Sequence, residues 1–147
     1  MKKLIFVFTL LLLTACATPN KYSDFDYSYA RSGGLSPIYE NLLIKGHKAH
    51  YSFEGQNQKI KKDFRITNQE LREIENVLED NNFRMIQEDY KKLYDHISTS
   101  ISVKKGNNTG RKSDASYIMP KDQERWDKVV MVFQDIITKH VKADSKK

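Results

Sequence analysis

Cysteine, proline and glycine are all scarce in this chain: its 147 residues include one cysteine (Cys16), three prolines and six glycines. A single thiol makes no disulfide within the chain. No cysteine follows Cys16, so residues 17–147 hold no thiol nucleophile, thiol redox pair or Cys-based zinc site. Long hydrophobic runs are missing too. The longest apolar stretch, residues 4–13, has ten residues and is broken by Thr9, whereas a membrane-spanning helix needs about 20. Catalytic signatures are equally absent. No Gly-x-Ser-x-Gly elbow exposes a serine, and Gly33-Gly34 precedes a strand pattern rather than the helix that a phosphate loop requires. Neither charge sign dominates: 25 basic and 19 acidic residues leave a formal +6, spread along the chain, which does not point to nucleic acid. A chain of this length has room for one domain, not two.

What is present is most informative at the N-terminus. Lys2 and Lys3 precede the apolar run, and the small residues Thr14 and Ala15 follow it, the layout of a secretion signal over residues 1–15. Leu13-Thr14-Ala15-Cys16 resembles the lipobox of bacterial lipoproteins. The resemblance implies cleavage between Ala15 and Cys16, diacylglycerol on the Cys16 sulfur and an acylated new amino group. Several acyl chains anchor stably where one is marginal. Ala17 in the second mature position implies, by the sorting pattern of Gram-negative enteric lipoproteins, an outer-membrane protein facing the periplasm. The formal charge falls from +6 to +4 on cleavage, because the leader carries Lys2 and Lys3 and no acid. Residues 17–23 (ATPNKYS) read as a tether, reaching at most about 25 Å when extended.

Residues 24–141 read as one α+β domain, and 142–147 as a frayed basic tail. Period-two patterns predict strands over 25–30, 38–45, 49–54 and 59–66. The period then becomes helical. Thr67-Asn68-Gln69-Glu70 is a capping box, and Leu71, Ile74, Val77 and Leu78 form the apolar stripe of a helix ending near Asp80. Phe83 and Ile86 are expected to plug the core beyond it. Ile97, Thr99, Ile101 and Val103 alternate as a fifth strand, 109–117 returns as a weaker sixth, and Pro120 opens a second helix. Trp126, Val129, Val130, Phe133, Ile136 and Ile137 give that helix a continuous apolar face. The order ββββαββα predicts a mostly antiparallel sheet of five to six strands with two amphipathic helices on one face.

Chemistry-bearing residues are few. His47 and His50 are three apart in a turn-and-strand segment, where positions i and i+3 point to opposite faces; surface turn histidines are the simpler reading and no metal site is assigned. Asp95 and His96 adjoin in an extended segment and diverge, so no catalytic residue is assigned and no cofactor is implied. Lys59, Lys61 and Arg65 form a candidate basic face, and Lys104-Lys105 and Arg111-Lys112 flank a hairpin turn; solvated faces explain them equally.

The stretches YARSGGLSPIYE, TNQELREIENVLEDNNF, YDHISTSISV and WDKVVMVFQDII occur in that order. Their layout resembles the emfourin-type domains, small proteinaceous inhibitors of thermolysin-like metalloproteases, with Ser32, Gly33, Gly34, Phe83 and Asp95 as the matching positions. The resemblance implies that a loop of Arg31, Ser32, Gly33, Gly34, Ser36 and Pro37 enters a partner's cleft. The favoured reading is a non-enzymatic, membrane-anchored envelope lipoprotein, a small binding or accessory module joined to its membrane through Cys16. The alternatives are a protease inhibitor of that type and an envelope enzyme whose site, including Asp95 or His96, is assembled by folding.

Overall fold

Alternation of apolar and polar residues produces six strands in the computed structural model, which describes residues 23–91 and 95–142. The expected signal peptide, the lipobox-like motif with Cys16, most of the expected tether, Tyr94 and the tail beyond Lys142 lie outside the described residues. The strands are β1 (Tyr27–Gly33), β2 (Ile38–Lys45), β3 (Lys48–Gly55), β4 (Gln58–Arg65), β5 (Ile97–Val103) and β6 (Gly110–Ser113). They form one sheet in the order β4-β3-β2-β1-β5-β6, antiparallel at every pairing. Two helices, α1 (Asn68–Asp80) and α2 (Gln123–Ile137), complete the α+β fold. Among the described residues no helix is long and apolar enough to cross a membrane.

Period two sorts each strand into an inward and an outward set. Tyr27, Tyr29, Leu42, Ile44, Tyr51, Ile101 and Val103 point inward and are buried. They meet Ile74 and Leu78 of α1 and Trp126, Val129, Phe133, Ile136 and Ile137 of α2 in a single core. The Tyr29 and Phe133 rings stack at 5.8 Å, a contact worth about 0.5–1.5 kcal/mol beyond its buried area. Phe83 and Ile86 are both fully buried past the end of α1, where Asn82 turns the chain in a left-handed conformation.

Of the boundaries that differ from the sequence reading, four have a clear local reason. β1 continues through Ser32 and Gly33, because Gly33 lacks the Cβ that would meet the His96 carbonyl oxygen at 2.6 Å. β4 ends at Arg65, and Ile66 turns inward with its N–H donating to the His47 carbonyl at 3.0 Å. β6 stops at Ser113 rather than Tyr117. There the Asp114 N–H still donates to the Thr99 carbonyl at 3.0 Å, but its carboxylate, not its carbonyl, accepts the Thr99 N–H at 2.5 Å and the Trp126 indole at 3.1 Å, which ends the regular ladder. Pro120 opens a 3-10 turn, Pro120–Asp122, before α2 begins. The buried Asp122 carboxylate accepts from the Gln87 N–H at 2.9 Å and pairs with Arg125.

Candidate functional site

A two-residue turn, Gly46-His47, joins β2 to β3 and sets the register that builds the site. Gly46 takes a positive φ of 54°, and Lys45 then faces Lys48 across the ladder, while Lys48 faces Arg65 on β4. Three cations thus stand in one row across three strands, on the face away from the helices. Directly opposed residues bring their Cβ atoms to about 5 Å, and like charges so placed destabilise a sheet.

Only one member of the row is neutralised. Lys45 pairs with Asp24 at 2.9 Å and Asp26 at 3.2 Å, and these hydrogen bonds raise its pKa. Burial alone would raise the Asp26 pKa, but the Gly46 N–H at 2.8 Å and Lys45 outweigh it and hold the carboxyl below its ordinary range. Lys48 and Arg65 form no ion pair among the described residues. The row borders a cavity of about 550 Å³ lined by Asp24, Leu43, Lys45, Lys48, Ala49, His50, Asp63, Phe64 and Arg65. His50 Nδ1 lies 2.5 Å from an Asp63 oxygen. The charged groups of the lining are three cations and the carboxylates of Asp24 and Asp63, of which Asp24 holds Lys45 and Asp63 lies against His50.

The segment entering the domain is fastened to this same end. Lys104 Nζ donates to the Ser23 carbonyl at 2.7 Å and lies 4.0 Å over the Phe25 ring, and the Asp26 N–H donates to the Ile44 carbonyl at 2.8 Å. On the helix side of the same end, Glu70 ties the start of α1 to the Thr138–Lys142 turn that follows α2. Its carboxylate accepts from the Thr67 N–H at 2.8 Å, from Lys139 at 2.8 Å, and lies 2.7 Å from His140 Nε2. Burial by itself would raise the Glu70 pKa, yet these hydrogen bonds bring it down to about 2. The His140 ring stacks on Phe64 at 4.6 Å.

The predicted basic face does not act as a unit. Lys59, Lys61 and Arg65 do share the outward face of β4, but each stands beside a different partner strand residue: Glu54, Ser52 and Lys48. Lys59 pairs with Glu54 at 3.2 Å, while Arg65 belongs with Lys48 and Lys45. The two lysines of the row escaped the sequence reading, although KGHK, a two-residue turn flanked by cations, fixes their opposition.

The candidate loop lies at the other end of the sheet. Arg31 is not part of its exposed tip: it points inward from β1 and pairs with the buried Glu40 at 3.1 Å, whose second oxygen accepts from the Tyr51 hydroxyl at 2.8 Å. The Ser32 carbonyl accepts from the Ser98 hydroxyl at 3.3 Å. Gly33 and Gly34 both adopt positive φ, 107° and 89°. Ser36 and Pro37 are exposed, and Leu35 between Gly34 and Ser36 is 87% exposed. Phe83 is buried, whereas Asp95 is exposed at a positive φ of 58°. His96 Nε2 contacts the Asp114 carbonyl at 3.0 Å and is not joined to Asp95 in any acid–base pair. His47 Nδ1 contacts the Ile66 carbonyl at 2.9 Å. Lys105 approaches Glu75 at 3.6 Å, and Arg111 Nε donates to Ser100 Oγ at 3.0 Å. Among the described residues no group of three or more His, Cys, Asp or Glu side chains is placed to share a metal ion. No protein-family model and no curated protein matches the chain.

Proposed function

We propose that the protein is a membrane-anchored envelope lipoprotein with a binding rather than a catalytic role, held by lipid on Cys16. The observation that carries this reading is the Leu13-Thr14-Ala15-Cys16 motif behind a charged and then apolar leader. The fastening of Ser23, Asp24 and Asp26 to one end of the sheet supports it, since only six residues, 17–22, then separate the lipidated cysteine from a fixed point. By the Ala17 sorting pattern the membrane is the outer one, with the domain facing the periplasm. Fractionating cells that express Cys16→Ser tests the proposal. Loss of the cleaved, membrane-bound form is expected; unchanged processing with normal membrane retention overturns it.

A second reading has one observation in its favour. Leu35, 87% exposed at the tip of a turn held by two positive-φ glycines, has the form of a residue offered to another protein's cleft, as the emfourin-type resemblance implies. Incubation with a thermolysin-like protease tests it: inhibition near equimolar ratio supports the reading, and full protease activity at excess protein rejects it.

A further inference from the structure

We propose that the Lys45–Lys48–Arg65 row binds phosphate groups of anionic phospholipids in the membrane that holds the anchor, so that the domain lies with this end of the sheet against the bilayer. The proposal rests on the lipoprotein reading above and adds an orientation and a lipid preference to it. Its first support is the register. Lys48 faces Lys45 on one side and Arg65 on the other, and among the described residues neither Lys48 nor Arg65 forms an ion pair, the Asp63 carboxylate of the same lining lying 2.5 Å from His50. An anion bridging the two relieves the repulsion that the fold alone leaves in place.

Position supplies the second support. Asp24 lines the cavity beside the row and binds Lys45 at 2.9 Å, and only residues 17–23 separate it from Cys16. At 3.3–3.6 Å per residue those seven residues span at most about 25 Å, so this end of the domain stays close to the lipid surface. The seven or eight residues of each strand β1–β4 put the opposite end roughly another 25 Å away. The β5–β6 turn brings Lys104 to the same end, where it lies over the Phe25 ring, while Lys105 turns to Glu75 on α1. Leu43, on the same outward face and in the cavity lining, provides apolar surface beside the phosphate position, where the glycerol carbons of a lipid would lie.

Each lysine or arginine near an anionic membrane surface contributes about 1 kcal/mol, or about fivefold in partitioning. The mature chain, residues 16–147 with Cys16→Ser, removes the anchor while keeping the whole described domain. Co-sedimentation with phosphatidylglycerol–phosphatidylcholine vesicles at physiological salt is expected to show binding that phosphatidylcholine vesicles do not. Lys48→Ala with Arg65→Ala should weaken it about 25-fold, whereas Lys61→Ala, outside the row, should leave it unchanged. Lys48→Ala alone removes a like-charge contact on both sides, so its thermal midpoint should equal or exceed that of the parent chain and its binding should still drop about fivefold. Equal binding of the double variant and the parent overturns the proposal, as does full displacement by millimolar inorganic phosphate, which would mark a site for a soluble anion instead. The vesicle assay reads the row without the anchor, and membrane retention of the unsubstituted protein reads the anchor without the row, so the two readings fail separately.

Discussion

At the end of the sheet where β2 turns into β3, carboxylates grip cations: Asp24 and Asp26 hold Lys45, and Glu70 holds Lys139 beside His140. At the opposite end, where β1 turns into β2, close steric packing does the holding. There Gly33 admits the His96 carbonyl, Gly34 lies against the Ile97 side chain, and Gly55 against Ile38. The exposed residues differ in the same sense. Lys45, Lys48 and Arg65 mark the first end, and Leu35, Tyr39, Ile60 and Ile97 the second. One sheet therefore carries a cationic end beside its tether and, facing away, an end shaped by glycines that also holds the Arg31–Glu40 and Lys59–Glu54 pairs. The two ends consequently differ in what disturbs them most: acid at the Glu70 end, added side-chain volume at the Gly33 end.

The largest effect is expected at the glycine-shaped end. Gly33→Ala places a Cβ 2.6 Å from a backbone oxygen at a φ of 107°, and backbone atoms of paired strands do not yield as a flexible side chain would. Strain and overpacking together should cost about 3 kcal/mol, read as a lower urea midpoint at unchanged m-value. Because the cost is steric, it should be the same at pH 7 and pH 4. A loss below about 0.5 kcal/mol would show that β1 and β5 part easily there, and the contrast between the ends would collapse.

The next effect belongs to the Glu70 end. Glu70 titrates at about 2 in the fold against an ordinary 4.5, so its contribution is fully present above about pH 5 and is lost as the pH falls toward 2. Allowing for solvent screening, that contribution is about 2 kcal/mol. Urea titrations from pH 7 to pH 2 should show this loss in the parent chain, and Glu70→Gln should be less stable at neutral pH with a flatter acid limb. Parallel acid limbs for the two chains would mean that Lys139 and His140 do not hold the carboxylate. Asp26, also depressed below its ordinary range, should steepen the same limb in both chains.

Much of this contrast was legible in sequence, but not its centre. The capping box was read from TNQE, and both of its hydrogen bonds form, Glu70 N–H to Thr67 Oγ1 at 3.1 Å and Thr67 N–H to Glu70 at 2.8 Å. Glu70's other partners lie 69 and 70 residues on, and no local pattern connects them. β2 was found at its observed limits because its ends are turns with clear punctuation. The period-two pattern carries β6 on to Tyr117, whereas the Asp114 side chain replaces its carbonyl as the acceptor for Thr99 and binds Trp126, an arrangement that no local pattern shows. Arg65 was noticed as one of three same-face cations on β4, a period-two property. Its opposition to Lys48 is a property of register, which needs the pairing of two strands. Arg31 was grouped with a loop because Ser-Gly-Gly usually ends a strand; the buried Glu40 that holds it inward lies on the neighbouring strand.

The smallest effect on stability separates shape from function at the distal end. Leu35→Asp changes a residue that is 87% exposed and sits beyond the two glycines that set the turn, so the fold loses no packing that matters and stability should shift by less than about 0.5 kcal/mol. If that end meets a protein partner, however, the same change places a carboxylate where an apolar contact would be buried, and an unpaired buried charge is costly. Inhibition of a thermolysin-like protease, if the parent chain shows it, should then fall at least tenfold with Leu35→Asp while the urea midpoint stays fixed. Vesicle binding through the Lys48 end should not change, because the two surfaces lie about one strand length apart. Loss of both activities together would instead mean that the two ends are not independent and that the sheet transmits a change along its strands.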